Sequence, residues 1–374
     1  MNMKYLGKRI RALRDASGMK QQELAEILEL KDRQSVGALE SGTRRVTAAE
    51  LVRLVNHFNI SLEDISNPFL LSEREGFSWR QSGVKQEELA RFERTAGEWI
   101  GAFRALSSDQ EGPRRKLLPD LKLTHRSTFE DAVEKGELVA DFLELGNAPA
   151  FNLVEAIEER LGILVLMVDA IPGVSGAACH LSELNAILIN RNESPGRRRA
   201  DLAHELFHIL TWDVMKPERV EEASFAWQGG GSSRRLERNE RIERLADNFG
   251  FGILLPERAL DTLPEPKENA EWLNAAAEKL GVSGINLKWR LVNSKRVPGM
   301  ITVPNDELVR LAKLNPAKEI PPLYSKRFLE VIGRAIETGQ ISIRRSTKLL
   351  GSTEEELAEL FDVHGLDRPE ELVF

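Results

Sequence analysis

The sequence predicts a mostly helical α+β chain with an all-α head, a helical connector, an α+β domain and a helical tail. Three observations carry this prediction. Residues 4–65 are a block of short amphipathic segments punctuated by Gly18 and Gly42. From about residue 150 the pattern shifts to short apolar runs of strand character. Two longer helical patterns follow, about Arg198–Trp212 and about Arg235–Leu255, the second stopped by Pro256. At 374 residues the chain is too long for one compact core, and these shifts predict units at 1–65, 66–145, 146–300 and 301–374.

In the head, Leu6, Ile10 and Leu13 space as one helix face, Leu24, Ile27 and Leu28 as a second, and Leu51, Leu54 and Val55 as a third. The connector is charged and helical in pattern, with the polar stretch Ser107–Pro119 reading as a long loop. Beyond it, Phe151–Leu161 predicts a helix and Ile163–Val168 a strand, with Gly173–Leu181 and Ala186–Asn190 as its pairing partners. Gly229–Ser233 predicts a flexible loop between the two long helices. In the tail, Phe328, Val331, Ile332, Ala335 and Ile336 stand at helical spacing, followed by Leu349-Leu350 and Glu354–Phe361. This reads as a small helical module for packing or for homodimer formation.

Composition narrows the function. A net charge of −7 argues against wholesale coating of nucleic acid. Residues 1–65 hold 11 Lys/Arg against 9 Asp/Glu, so the head is locally positive and is the place to look for DNA contact. Cys179 is the one cysteine, which excludes an intrachain disulfide and an all-cysteine metal site. It points to a reducing, cytoplasmic setting. No apolar run approaches the ~20 residues a membrane helix needs. The first residues lack the apolar stretch of a secretory signal.

The first of the two long helices carries His204-Glu205-Leu206-Phe207-His208, an H-E-x-x-H pattern. Residues four apart lie one above the other on a helix, so both imidazoles can meet one Zn²⁺ while Glu205 stands beside them to take a proton from water. Five letters alone also fit a buried histidine face on an ordinary helix. Zinc needs a third protein ligand, and Glu243 lies on the second long helix with Asp247 one turn later on the same face. Glu243 can then bind zinc while Asp247 orients a ligand histidine through its other ring nitrogen. A solvated charged face is the competing reading, since Arg241 and Arg244 flank Glu243, but Leu245, Ala246 and Phe249 give that helix a buried side. His180 sits in a strand pattern, where a packing role outweighs polarisation of a scissile carbonyl.

These segments resemble the ImmA/IrrE-type metallopeptidases. Arg199-Ala-Asp-Leu-Ala-His-Glu-Leu-Phe-His-Ile-Leu is similar to that family's catalytic helix, and Ala186-Ile-Leu-Ile-Asn190 to the strand leading into it. Glu243-x-x-Ala246-Asp247-x-Phe249, ending in Leu254-Leu255-Pro256, is similar to its third-ligand helix. The resemblance spans roughly residues 145–300. It implies a zincin-like α+β fold, His204, His208 and Glu243 as zinc ligands, and Glu205 as general base. Gly250 and Gly252 stand where alanine-like residues are usual.

Residues 5–64 resemble the helix-turn-helix of the phage-repressor (Xre) family through Ile10-Arg-x-Leu13-Arg14, Lys20-Gln21-Gln22-Glu23-Leu24-Ala25 and Ser35-Val36-Gly37-Ala38-Leu39-Glu40-Ser-Gly42. Gln21, with Gln22 beside it, opens a helix where side chain and backbone N–H groups can hold a phosphate. Arg33, Gln34 and Ser35 open the recognition helix towards base edges, and Arg44 and Arg45 follow it towards phosphate. Gly37 and Ala38 leave the middle of that helix without a long polar side chain.

The expectation is a cytoplasmic regulator that binds double-stranded DNA and carries a zinc-dependent endopeptidase. By resemblance, its protein substrate is a partner repressor or antitoxin. The rival readings are a non-hydrolytic transcription factor or an antitoxin, with the peptidase-like domain sensing a ligand or partner.

Overall fold

The computed structural model describes residues 3–62, 65, 67, 69–71, 76–107, 118–181, 183–222, 236–314 and 320–372. The loop expected at Gly229–Ser233 and most of the one expected at Ser107–Pro119 lie outside these residues.

The head is helical: α1 (Met3–Ala16), α2 (Gln21–Ile27), α3 (Arg33–Glu40) and α4 (Ala48–Phe58). Its starts follow the local capping chemistry. The Asp32 side chain accepts from Ser35 N at the start of α3, and Thr47 and Glu50 form a capping box at α4. Leu6, Ile10, Leu24, Leu28, Val36, Leu39 and Leu54 form a core separate from the rest of the chain.

Strand β1 (Phe77–Gln81) and the long helix α5 (Gln86–Ser107) follow, then α6 (Phe129–Phe142) and α7 (Pro149–Ala156), which runs on as a π-turn over Ile157–Leu161. Next come β2 (Leu164–Val168), β3 (Val174–His180), β4 (Asn185–Asn190), α8 (Pro195–Thr211), β5 (Val220–Glu222) and α9 (Arg238–Leu254). Shorter helices complete this part: α10 (Glu257–Leu260), α11 (Ala270–Leu280), α12 (Gly284–Asn293) and α13 (Asn305–Leu314). The tail holds α14 (Lys326–Glu337), α15 (Ile343–Leu350) and α16 (Glu354–Val363).

The strands form one mixed sheet in the order β2-β4-β3-β1-β5. β4 pairs with both β2 and β3, so β3 does not meet β2 directly as the sequence reading expected. β1 runs antiparallel to β3 and parallel to β5. Side chains alternate across the sheet. Ile163, Val165, Ala178, Ile187 and Ile189 face a core shared with α6, α7, α8, α9, α11 and α12. Phe77, Trp79, Leu164, Leu166, Ala177, Cys179 and Leu188 face a second core shared with α5, α14, α15 and α16. Both faces are covered, which is why these strands read as near-continuous apolar runs.

The stretch 66–145, expected as a separate helical connector, supplies a strand to the sheet and a helix to its second face. In Phe77-Ser78-Trp79-Arg80-Gln81 only two apolar residues mark the alternation, too few to stand out beside flanking helical patterns. The tail likewise packs on the sheet instead of standing apart: α14 contributes Phe328, Leu329 and Ile332 to the second core. The Ser325 hydroxyl, at the start of α14, donates to buried Glu158 Oε1 across 2.8 Å.

Candidate functional site

Helix α8 opens with Pro195 at its first turn and runs buried through the interior, so its polar residues need partners. His204, Glu205 and His208 are 2%, 1% and 0% exposed. Leu202, Leu206 and Ile209 pack the same helix into the first core. Helix α9 crosses beside it and approaches α6 closely: a Cβ at Gly252 would fall onto the Val133 carbonyl oxygen. Gly252, noted from sequence as an irregularity, thus permits backbone-to-backbone packing. A Cβ at Gly250 would only reach ordinary contact with Ala203.

This crossing brings Glu243 to the two histidines. His204 Nε2 lies 3.0 Å from His208 Nε2 and 3.1 Å from Glu243 Oε2, and His208 Nε2 lies 3.6 Å from Glu243 Oε1. One donor atom from each residue falls within 4.8 Å of the others. On the far side of the ring, His204 Nδ1 is 2.9 Å from Asp247 Oδ1. A carboxylate only accepts, so Nδ1 carries the hydrogen and Nε2 turns a lone pair towards the cluster. Two imidazole nitrogens and a carboxylate oxygen then converge, a donor set of the kind that can hold a cation. Donors on a tetrahedral zinc with bonds of ~2.0–2.1 Å stand about 3.3 Å apart; the two imidazole nitrogens are 3.0 Å apart, and each approaches a different oxygen of Glu243, at 3.1 and 3.6 Å. The donor set therefore fits zinc.

The surrounding charge is consistent with this. Burial opposes ionisation of Glu243, but the neighbouring imidazoles of His208 and His204 outweigh it, holding the carboxyl well below the usual range. Burial also opposes ionisation of Asp247, and there His204 and Arg80 prevail. Glu205 lies against β3: a Cβ at Gly176 would sit 3.6 Å from Glu205 Cγ. His180 stands outside the donor set, its ring stacked on Trp212 with centroids 5.3 Å apart.

Arg80 was not anticipated from sequence. It projects from β1, opposite Gly176 in register, and its side chain is 10% exposed. One guanidinium nitrogen is 3.5 Å from Asp201 Oδ1 and another 3.7 Å from Asp247 Oδ1. Burial disfavours its charge, but Asp201, Asp247, Glu205 and Glu243 together raise its pKa above the ordinary arginine value. Asp201, 1% exposed, also accepts from Arg197 Nε across 2.9 Å. A lone arginine in a buried strand was the available signal, since such a charge needs a partner.

In the head, several residues singled out for DNA are engaged within the domain. Gln21 Nε2 donates to Glu40 Oε2 at 2.8 Å, and Glu40 is also held by Arg14 Nε at 2.6 Å. The Ser35 hydroxyl donates to Asp32, and an Arg44 nitrogen lies 2.7 Å from buried Glu50. Gln22 reaches only Glu26, at 3.5 Å, and is exposed. Arg33, Gln34 and Arg45 are exposed.

Residues 10–65 match the helix-turn-helix family model, and residues 158–291 match that of the IrrE N-terminal-like domain. No curated protein matches the chain significantly. Among solved structures, PlcR of Bacillus thuringiensis, in complex with the peptide PapR7 and DNA, aligns at 10% identity over 96% of this chain and 95% of its own. The apo competence regulator ComR of Streptococcus vestibularis aligns at 9% identity over 97% of this chain and 93% of its own. Both TM-scores are 0.17, too low to establish a shared fold. Among the described residues no helix is long and apolar enough to cross a membrane. The two matched segments make the chain a fusion of an Xre-type helix-turn-helix with an IrrE N-terminal-like domain.

Proposed function

We propose that the protein is a cytoplasmic regulator that binds double-stranded DNA through its head and cleaves a partner protein, a repressor or antitoxin, at a zinc centre. The observation that carries the peptidase half is the convergence of His204, His208 and Glu243 with Glu205 beside them. Zinc, when bound, supplies Lewis acidity that polarises a peptide carbonyl and acidifies water. His204, His208 and Glu243 hold it, and Asp247 fixes the His204 ring with Nε2 turned inward. Glu205 accepts a proton from the attacking water and returns it to the leaving amine. Its burial beside Gly176 keeps competing bulk water away from that carboxylate. In the head, exposed Arg33 and Gln34 at the start of α3 suit base edges, and Arg45 suits phosphate.

The test is incubation of the zinc-loaded protein with the product of the neighbouring gene, with Glu205→Gln as control. Cleavage by wild type, and none by a variant that still binds zinc, is the expected result. Intact substrate with both proteins would favour a domain that senses a partner without hydrolysis.

A further inference from the structure

The proposed zinc site is not complete within the segment that resembles a peptidase. The carboxylate that orients His204 faces Arg80, and Arg80 belongs to β1, outside the matched residues 158–291. Four buried or half-buried carboxylates surround this guanidinium: Asp201 and Glu205 from α8, Glu243 and Asp247 from α9. From β3 the opposing residue is Gly176, which brings no charge and no side chain into the way. Arg197 also bonds this group, through Asp201.

The position of Arg80 is itself built. The Trp79 indole donates to Glu93 Oε2 of α5 at 2.7 Å, and Trp79 N donates to Arg219 O at 2.9 Å. Glu93 in turn accepts from Arg219 at 2.9 Å. These contacts fix the register of β1 and send alternate side chains, Ser78 and Arg80, to the α8 face.

We infer that Arg80 is a positioning residue for the metal centre: its fork holds Asp247 from α9 and Asp201 from α8 at one spacing, so that His204 is aimed before the ion arrives. The inference rests on the zinc reading above and adds that the strand next to the DNA-binding head controls the metal affinity of the peptidase. The cost of assembling acidic groups around an absent ion is met by a guanidinium that reaches two of them at once, which an ammonium on a shorter reach cannot do.

The experiment is a Co²⁺ titration of the full-length chain, followed by the visible d–d absorption and by competition with a chelator. Arg80→Gln should bind Co²⁺ about ten- to a hundredfold more weakly and with an altered band shape, because the supporting contact to Asp247 is gone. Arg80→Lys should fall between the two. Wild-type affinity and spectrum in Arg80→Gln overturn the inference while leaving the zinc reading intact. If Arg80→Gln does not fold, by far-UV circular dichroism, Arg80→Lys decides, and wild-type behaviour there overturns the inference. A wild-type chain that does not bind Co²⁺ at all sinks the zinc reading, and the inference with it.

Discussion

His204 faces a carboxylate on each side of its ring: Nδ1 lies 2.9 Å from Asp247 Oδ1, and Nε2 lies 3.1 Å from Glu243 Oε2. The two carboxylates are one turn apart on α9, so a single helix face both fixes the tautomer and supplies a donor. Asp247→Asn can present its amide nitrogen to Nδ1 and so favour the other tautomer. Metal affinity should then fall about ten- to a hundredfold while the fold persists. Chelator competition on the purified variant checks this, and an unchanged affinity would reduce Asp247 to a packing role.

The two halves of that pairing were legible in the sequence because each is helical arithmetic. His204, Glu205 and His208 share one helix, and Glu243 and Asp247 another, so spacing alone puts each set on a face. Arg80 was not legible, because its approach depends on strand pairing between β1 and β3, which no local spacing reports. The same distinction runs through the fold. Leu164, Leu166 and Val168 announced a buried strand, but nothing in them said that Phe328 and Leu329 of the tail would cover one side. In the head, the order of helices was readable, whereas the Gln21–Glu40–Arg14 network joins residues from three helices and needed coordinates.

Glu158 tethers the tail to the sheet domain. Its Oε1 accepts from Val165 N at 3.1 Å and from the Ser325 hydroxyl at 2.8 Å, with Arg327 and Glu330 the nearest charges on α14. Burial pushes its carboxyl up to about 7 against the hydrogen bonds and Arg327, which act to lower it. The unfolded chain has an ordinary value of about 4.3, so between about 4.3 and 7 the folded state holds the extra proton. Stability is therefore highest at the acid end of that window and falls as pH rises through about 7, by about 4 kcal/mol in all. Glu158→Gln should melt higher than wild type at pH 8 and should flatten the decline in Tm between pH 5 and 8. Parallel Tm curves for the two proteins would show that this carboxyl does not titrate there.

Arg44 and Arg45 are adjacent but should separate on mutation. Arg45 is exposed, so Arg45→Ala should leave the melting midpoint alone and reduce the salt slope of DNA binding by about one. Arg44 pairs with Glu50, whose side chain is 6% exposed, so Arg44→Ala strands a buried carboxylate at a cost of about 1–3 kcal/mol. It should lower the head's thermal midpoint as well as the affinity for every DNA sequence. Binding isotherms at several salt concentrations, with calorimetry of each variant, distinguish the two. An Arg45→Ala salt slope equal to wild type would remove Arg45 from the phosphate contacts.

The limits of the folding unit can be tested by truncation. Residues 146–300 contain every candidate metal donor, yet that segment lacks α6 and α13 from the first core, and β1, α5 and the tail helices that cover the second face of the sheet. Without them Leu164, Leu166, Val168, Ala177, Cys179 and Leu188 lose their cover. Fully burying a leucine or valine contributes about 1.5–3 kcal/mol, so re-exposing these side chains costs on the order of 10 kcal/mol. That is comparable with the whole stability of a typical domain, about 5–15 kcal/mol. The fragment also loses Arg80 beside Asp247. Residues 146–300 alone should therefore aggregate or melt without a cooperative transition and should bind Co²⁺ poorly. A fragment from residue 76 to 374 should melt cooperatively and bind Co²⁺ as the full chain does. Circular dichroism melts and Co²⁺ titrations of both fragments read this directly. A shorter fragment that melts cooperatively and binds with full affinity would mean that β1, α6 and the tail only decorate a sheet already stable without them.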